Sequence, residues 1–161
     1  MPEAIVNTSP LQYLHQIGHL DLLREFYSKI IVAHSVVEEL ACGREVGLNV
    51  PDPAQFSWME VRAAPIEILI TAVADLGRGE REALSLSQVS PASILILDDL
   101  LARNYARDLQ LKFTGTLGIL ARARREERVS ALAPLLSRLV KLGFRLSPQV
   151  RAEVLASVGE K

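Results

Sequence analysis

Apolar residues along this chain recur in two ways, as short continuous runs and at helical spacing, and their alternation predicts an α/β fold. Ala4-Ile5-Val6 is a continuous run that ends abruptly in Asn7-Thr8-Ser9-Pro10. It reads as a buried strand running into a helix, with Thr8 or Ser9 as the cap and Pro10 in the first turn. Leu11, Leu14 and Ile17 then share one helical face, Gly18 ends that helix, and Leu20, Leu22, Leu23 and Phe26 give a second helix its apolar side. Ile30-Ile31-Val32 supply the next strand. The chain thus opens as βααβ, which points to a parallel sheet.

The rest keeps the same rhythm. Ser35 is placed to cap a helix that turns Val36, Val37 and Leu40 inward, and Gly43 and the stretch from Gly47 to Pro53 read as loop. Met59 and Val61 alternate with Glu60 and Arg62 as a weakly marked strand, and Pro65 opens an apolar helix through Ala74. Leu76-Gly77-Arg78-Gly79 is a turn, after which Glu80 starts a helix carrying Ala83, Leu84 and Leu86. Ile94-Leu95-Ile96-Leu97 is the clearest buried strand, and it ends in Asp98-Asp99 before a helix with Leu100, Leu101, Tyr105 and Leu109. Lys112-Phe113-Thr114 reads as a last strand, and Gly115 and Gly118 flank a turn into a helix through Leu117, Ile119 and Leu120. Two more helices follow, Ala131 to Leu142 and one opened by Ser147-Pro148. The expectation is a single domain over 1–161, a three-layer α/β/α sandwich around a parallel sheet, extended by C-terminal helices within 131–157.

Composition narrows the class. With 161 residues and 49% apolar content the chain can fill a core of its own. Cys42 is the single cysteine, which excludes an intramolecular disulfide and a cysteine-based zinc site. The N-terminus lacks a signal-peptide pattern and the apolar runs are too short to span a bilayer, so the chain reads as soluble and cytoplasmic. A net charge of −1 conceals a division: residues 1–100 carry −8 and residues 101–161 carry +7. Either these are solvated helix faces, or the acids of the first part build a cation site while the basic part meets a polyanion.

Oxygen-bearing groups sit where the strands end. Asn7 follows the first strand, Glu39 lies in the third helix, Glu80 starts a helix after a glycine turn, and Asp98-Asp99 follow the central strand. In open parallel sheets ligands bind at these strand ends, and several carboxylates meeting there require a cation, for which a hard divalent ion is suited. Such a site serves phosphodiester hydrolysis. His15 and His19 have zinc-like spacing, but Gly18 interrupts their helix, and Gly77-Arg78-Gly79 lacks the Lys and Ser/Thr of a P-loop. Arg122, Arg124, Arg125 and Arg128 read either as a solvated helix end or, with Arg78, Arg81, Arg103 and Arg107, as a phosphate-contacting patch.

The segments Val6-Asn7-Thr8-Ser9-Pro10-Leu11, Ile17-Gly18-His19-Leu20-Asp21-Leu22-Leu23, Val36-Val37-Glu38-Glu39-Leu40, Gly79-Glu80-Arg81-Glu82-Ala83, Leu97-Asp98-Asp99 and Thr114-Gly115-Thr116-Leu117-Gly118, taken in order, make the chain resemble PIN-domain ribonucleases, in particular small prokaryotic proteins related to VapC toxins. The resemblance implies an endoribonuclease that uses one or two magnesium or manganese ions, pairs with a small antitoxin as part of a toxin–antitoxin system, and forms a homodimer. It implies Asn7, Glu39, Glu80 and Asp99 as catalytic and metal-binding positions, with Asp98 as a neighbour that would ligate or repel anions. Glu39 matches better than Glu38, and Glu80 better than Glu82. Thr8, Ser9, Thr114, Thr116, Arg78 and Arg103 are the expected substrate contacts. Asn7 departs from the pattern, which has an aspartate there. An amide oxygen can still coordinate magnesium but removes a negative charge. That departure is compatible with lost activity, in which case the protein acts by binding nucleic acid or protein, with engineered inactivation, or with tolerated variation.

Overall fold

The computed structural model describes residues 1–65 and 75–161. The helix expected from Pro65 to Ala74 falls almost wholly outside the described residues. Five strands, β1 (Ala4–Val6), β2 (Ile30–Ala33), β3 (Met59–Arg62), β4 (Ile94–Ile96) and β5 (Phe113–Thr114), form a parallel sheet in the order β3-β2-β1-β4-β5. Central strands of a parallel sheet are covered on both faces and so need apolar side chains throughout. β1 and β2 meet that demand, every residue of both being buried.

Eight helices flank the sheet among the described residues: α1 (Thr8–Gln16), α2 (Leu22–Phe26), α3 (His34–Glu45), α4 (Arg78–Val89), α5 (Leu100–Asp108), α6 (Thr116–Arg125), α7 (Ala133–Lys141) and α8 (Pro148–Ser157). They lie on both sides of the sheet, the expected three-layer α/β/α arrangement. α4 packs over β1, β2 and β4 and beside α3 and α5, while α6 contacts β5, α1, α2 and α8. Among the described residues no helix is long and apolar enough to cross a membrane.

Gly18 ends α1 as the sequence predicts, with φ at 78° and bonds from Gly18 N–H to His15 O at 3.0 Å and from His19 N–H to Leu14 O at 2.8 Å. Only a left-handed residue can turn the chain that way, and glycine does so without steric cost.

Several expected boundaries move. Thr8 and Ser9 are helical residues rather than caps, and the cap position belongs to Asn7, whose side chain makes no capping bond. Ser35 lies inside α3, whose cap position is Ala33. Gly43 and Gly118 sit within α3 and α6 instead of in loops. In each case the residue's chemistry suits a turn, but tertiary packing lets the helix run through it.

The sheet order creates the crevice that matters. From β1 the chain moves to β2 on one side, whereas β4, on the other side of β1, continues to β5. The C-terminal ends of β1 and β4 therefore border a topological switch point, where parallel α/β sheets leave room for a ligand. Val6 pairs with Ile96, and the Asn7 N–H donates to Ile96 O at 2.9 Å. Asn7 and Asp98 are thus delivered to the same edge by the strands that precede them.

Candidate functional site

Asn7 is 3% exposed, yet its Oδ1 has no hydrogen-bond partner among the described residues. A buried acceptor left unpaired costs about 1–3 kcal/mol, so such an atom calls for an explanation. It faces Gly79, near the start of α4. A Cβ at Gly79 would lie 3.2 Å from Asn7 Oδ1 and 2.7 Å from Glu39 Oε1. Two oxygens from elements distant in sequence therefore converge over one glycine, and only the absence of a side chain there lets them do so.

Neighbouring hydroxyls hold the carboxylates. The Thr8 hydroxyl donates to Glu39 Oε2. Asp98 Oδ1 accepts the Thr116 N–H at 2.8 Å, and its Oδ2 accepts the Thr116 hydroxyl at 2.6 Å and the Ser9 hydroxyl at 3.1 Å. The first turn of α1 thus touches both acids, Glu39 through Thr8 and Asp98 through Ser9. Thr8, Ser9 and Thr116, expected as substrate contacts, are occupied in orienting these carboxylates.

The adjacent acids Asp98 and Asp99 take different roles. Asp99 is the N-cap of α5 and accepts the Ala102 N–H at 2.9 Å, a bond that satisfies the helix end. Asp98 is the one tied to Ser9 and Thr116. Glu80 folds back toward its own helix start, where a Cβ at Gly77 would lie 2.5 Å from its Oε2. No hydrogen bond links Glu80 to Asn7, Glu39 or Asp98 among the described residues. The Thr114 hydroxyl nests against Gly118.

Of the expected cationic contacts, Arg78 is engaged with Glu38 at 3.1 Å and Glu82 at 3.2 Å. Arg103 lies over the Phe113 ring, 5.2 Å from its centroid, and beside Gly115 at the edge of the site. Three of the four arginines clustered at and just beyond the end of α6 are paired, while Arg125 is exposed and makes no ion pair among the described residues. Arg122 pairs with Glu126, Arg124 with Glu160 and Arg128 with Glu25. Their helix begins at Thr116, which bonds Asp98, and ends at Arg125.

Glu82, set aside on sequence grounds as lying too far into its helix, is buried, and its Oε2 accepts both the Ser35 N–H, at 3.0 Å, and the Ser35 hydroxyl. Burial pushes its carboxyl up, but those two bonds and the Arg78 guanidinium outweigh it and hold the group below the usual glutamate value. The bond ties the first turn of α3 to α4 and so fixes how closely Gly79 approaches Glu39. The sequence carries a signal for this: Glu82 stands one turn before buried Leu86, on the inward stripe of α4.

No three His, Cys, Asp or Glu side chains form a metal-binding group among the described residues. The oxygens that do converge are Asn7 Oδ1 and Glu39 Oε1 over Gly79, and Asp98 is tied to the same first turn of α1 through Ser9. This all-oxygen set suits a hard divalent cation, and the unpaired Oδ1 of Asn7 is the atom such an ion would satisfy.

A parallel sheet in this strand order, with oxygen donors lining its switch point, defines an α/β domain of the PIN-like class. The chain belongs to the PIN-domain family whose model, DUF3368, matches residues 3–160. Its fold is similar to that of a PilT N-terminus domain protein from the hyperthermophilic archaeon Sulfolobus solfataricus, with a TM-score of 0.56 and 20% identity. That likeness covers 75% of this chain and 92% of the archaeal one. No curated protein matches the chain.

Proposed function

We propose that the protein is a metal-dependent nuclease acting on RNA phosphodiesters, with Asn7, Glu39 and Asp98 as the groups that would hold a magnesium or manganese ion. The observation that carries this reading is the buried, unpaired Oδ1 of Asn7 converging with Glu39 Oε1 over Gly79. A divalent ion bound there supplies charge neutralisation at a phosphate and lowers the pKa of a water. The protein's own part is positional. Thr8 orients Glu39, Ser9 and Thr116 orient Asp98, and Glu82 fixes α4 against α3, so the carboxylates are arranged before substrate arrives. Family membership supports the nuclease class, and the choice of RNA rests on the resemblance.

Asn7 brings one negative charge fewer than an aspartate would, which weakens cation binding. It favours a second reading, a PIN-domain protein that has lost catalysis and acts by binding nucleic acid or protein. Cleavage of a labelled RNA with magnesium or manganese by the natural chain, Asn7→Asp and Asp98→Ala separates the two. Cutting that Asp98→Ala abolishes supports the enzyme. A silent natural chain that Asn7→Asp restores identifies a disabled nuclease. If no variant cuts and calorimetry detects no manganese binding, the metal-site reading is wrong. The proposal extends to a homodimer and a small antitoxin partner, both carried by the resemblance, and light scattering after size exclusion tests the first.

A further inference from the structure

β3 lies at one edge of the sheet, and among the described residues its only strand partner is β2. In a parallel pair the residues of an edge strand alternate, one turning its N–H and C=O to the neighbour and the next turning both outward. The Ile30 N–H donates to Trp58 O at 3.2 Å, which sets the phase. The backbone groups of Trp58, Glu60 and Arg62 therefore face β2, and those of Met59 and Val61 face out. The Met59 N–H is spent on Phe56 O at 3.1 Å, within its own loop. Val61 is left with an outward donor and acceptor, and the residue is 38% exposed. Unpaired edges of this kind are templates for another strand, and proteins guard them with charge. Here the charges instead match a particular strand. Glu60 and Arg62 stand on one face of β3, where Glu60 accepts from Arg62 at 2.8 Å and from Lys29 at 2.9 Å.

We propose that two copies of the chain join edge to edge along β3, antiparallel about Val61, and so merge their five-stranded sheets into one. In that register each Glu60 stands directly opposite the partner's Arg62, closing a ring of four alternating charges. Val61 and the partner's Val61 exchange two N–H···O bonds at the two-fold axis and pack as a β-branched pair on the other face. Registers shifted by two residues either way keep the outward groups aligned, but they set Glu60 against the partner's Glu60 or Arg62 against the partner's Arg62. Like charges directly opposite are destabilising, so one register is favoured. The inference rests on the homodimer drawn above from the resemblance and gives it a surface; it rests on nothing in the nuclease reading. Because the joined strands run in opposite directions, the strand ends that carry Asn7 and Asp98 face opposite edges of the merged sheet. Neither copy completes the other's site.

Size exclusion with light scattering, run from about 1 μM to about 1 mM, is expected to show the natural chain approaching twice its monomer mass. Glu60→Arg and Arg62→Glu each turn two attractions across the axis into repulsions, and each is expected to weaken the dimer by about tenfold. Mixed in equal amounts, the two variants are complementary again and are expected to recover the dimer mass, which a folding defect in either would prevent. Val61→Pro removes the outward N–H while sparing the bonds to β2, and is expected to abolish association in a protein whose thermal melt shows it folded. Manganese affinity is expected to be unchanged in every variant, so the nuclease reading is judged separately. A dimer that survives all three variants overturns the β3 interface and leaves the homodimer to another surface. A natural chain that stays monomeric throughout overturns both. A mixture of folded variants that fails to dimerise overturns the charge-matched register.

Discussion

Gly79→Ala separates the site from the fold. Within α4 an alanine is a better helix former than glycine by about 1 kcal/mol, which in a chain of this size raises Tm by about 2–4 °C. The new Cβ would stand 2.7 Å from Glu39 Oε1 and 3.2 Å from Asn7 Oδ1. Glu39 is exposed and its carboxylate is the tip of a flexible side chain, so it can retreat by about 0.7 Å, from 2.7 Å to the 3.4 Å of ordinary contact. Asn7 is 3% exposed and has little room to follow. The stability cost is therefore small, but the displacement exceeds the tolerance of about 0.2 Å expected for metal–ligand distances. Manganese titration calorimetry is expected to show an affinity at least about tenfold lower, near 1.4 kcal/mol, while the melt moves up or stays level. Unchanged manganese affinity in a variant that melts normally would refute the assignment of Gly79 as the floor of the site.

Other substitutions test the remaining pieces. Asp99→Ala removes a helix cap, so chemical denaturation is expected to show a loss of about 1 kcal/mol while RNA cleavage and metal binding persist. Asp98→Ala leaves Thr116 without its acceptor, and both its stability and its metal affinity are expected to fall. Asn7→Asp buries a carboxylate beside Glu39, so the metal-free protein is expected to melt lower and to recover on adding manganese, as differential scanning fluorimetry can show. Glu160 accepts the Leu132 N–H, which lowers its pKa, opposed by burial and reinforced by the Ala133 N–H and Arg124. A depressed carboxylate pKa stabilises the fold above its ordinary value of 4.5 and ceases to do so as pH falls through the lower folded value. Glu160→Gln is accordingly expected to melt below the natural protein at pH 7, with the gap closing as the pH falls below about 4.5.

Much of the architecture was legible because strand and helix periodicity are local properties. Ile94 to Leu97 marks the strand β4, and Gly18 marks the end of α1, without any knowledge of what packs on them. Boundaries were less legible where local preference and packing compete, as at Ser35 and Gly118, both of which suit turns and both of which lie inside helices. The site was legible as a set of strand ends. Its membership was not, because Asp98 and Asp99 are equivalent in sequence and differ only in which N–H groups lie nearby.

By itself the order of apolar runs determined a parallel α/β domain, and it placed Asn7 and Asp98 after strands, since burial on both faces demands continuous apolar segments. Which polar groups meet was decided by the tertiary structure alone. The strand order puts β1 beside β4, Glu82 draws α4 onto α3, and Gly79 leaves the space in which Asn7 and Glu39 converge. Those are distances between residues far apart in the chain, and no local pattern encodes a distance of that kind.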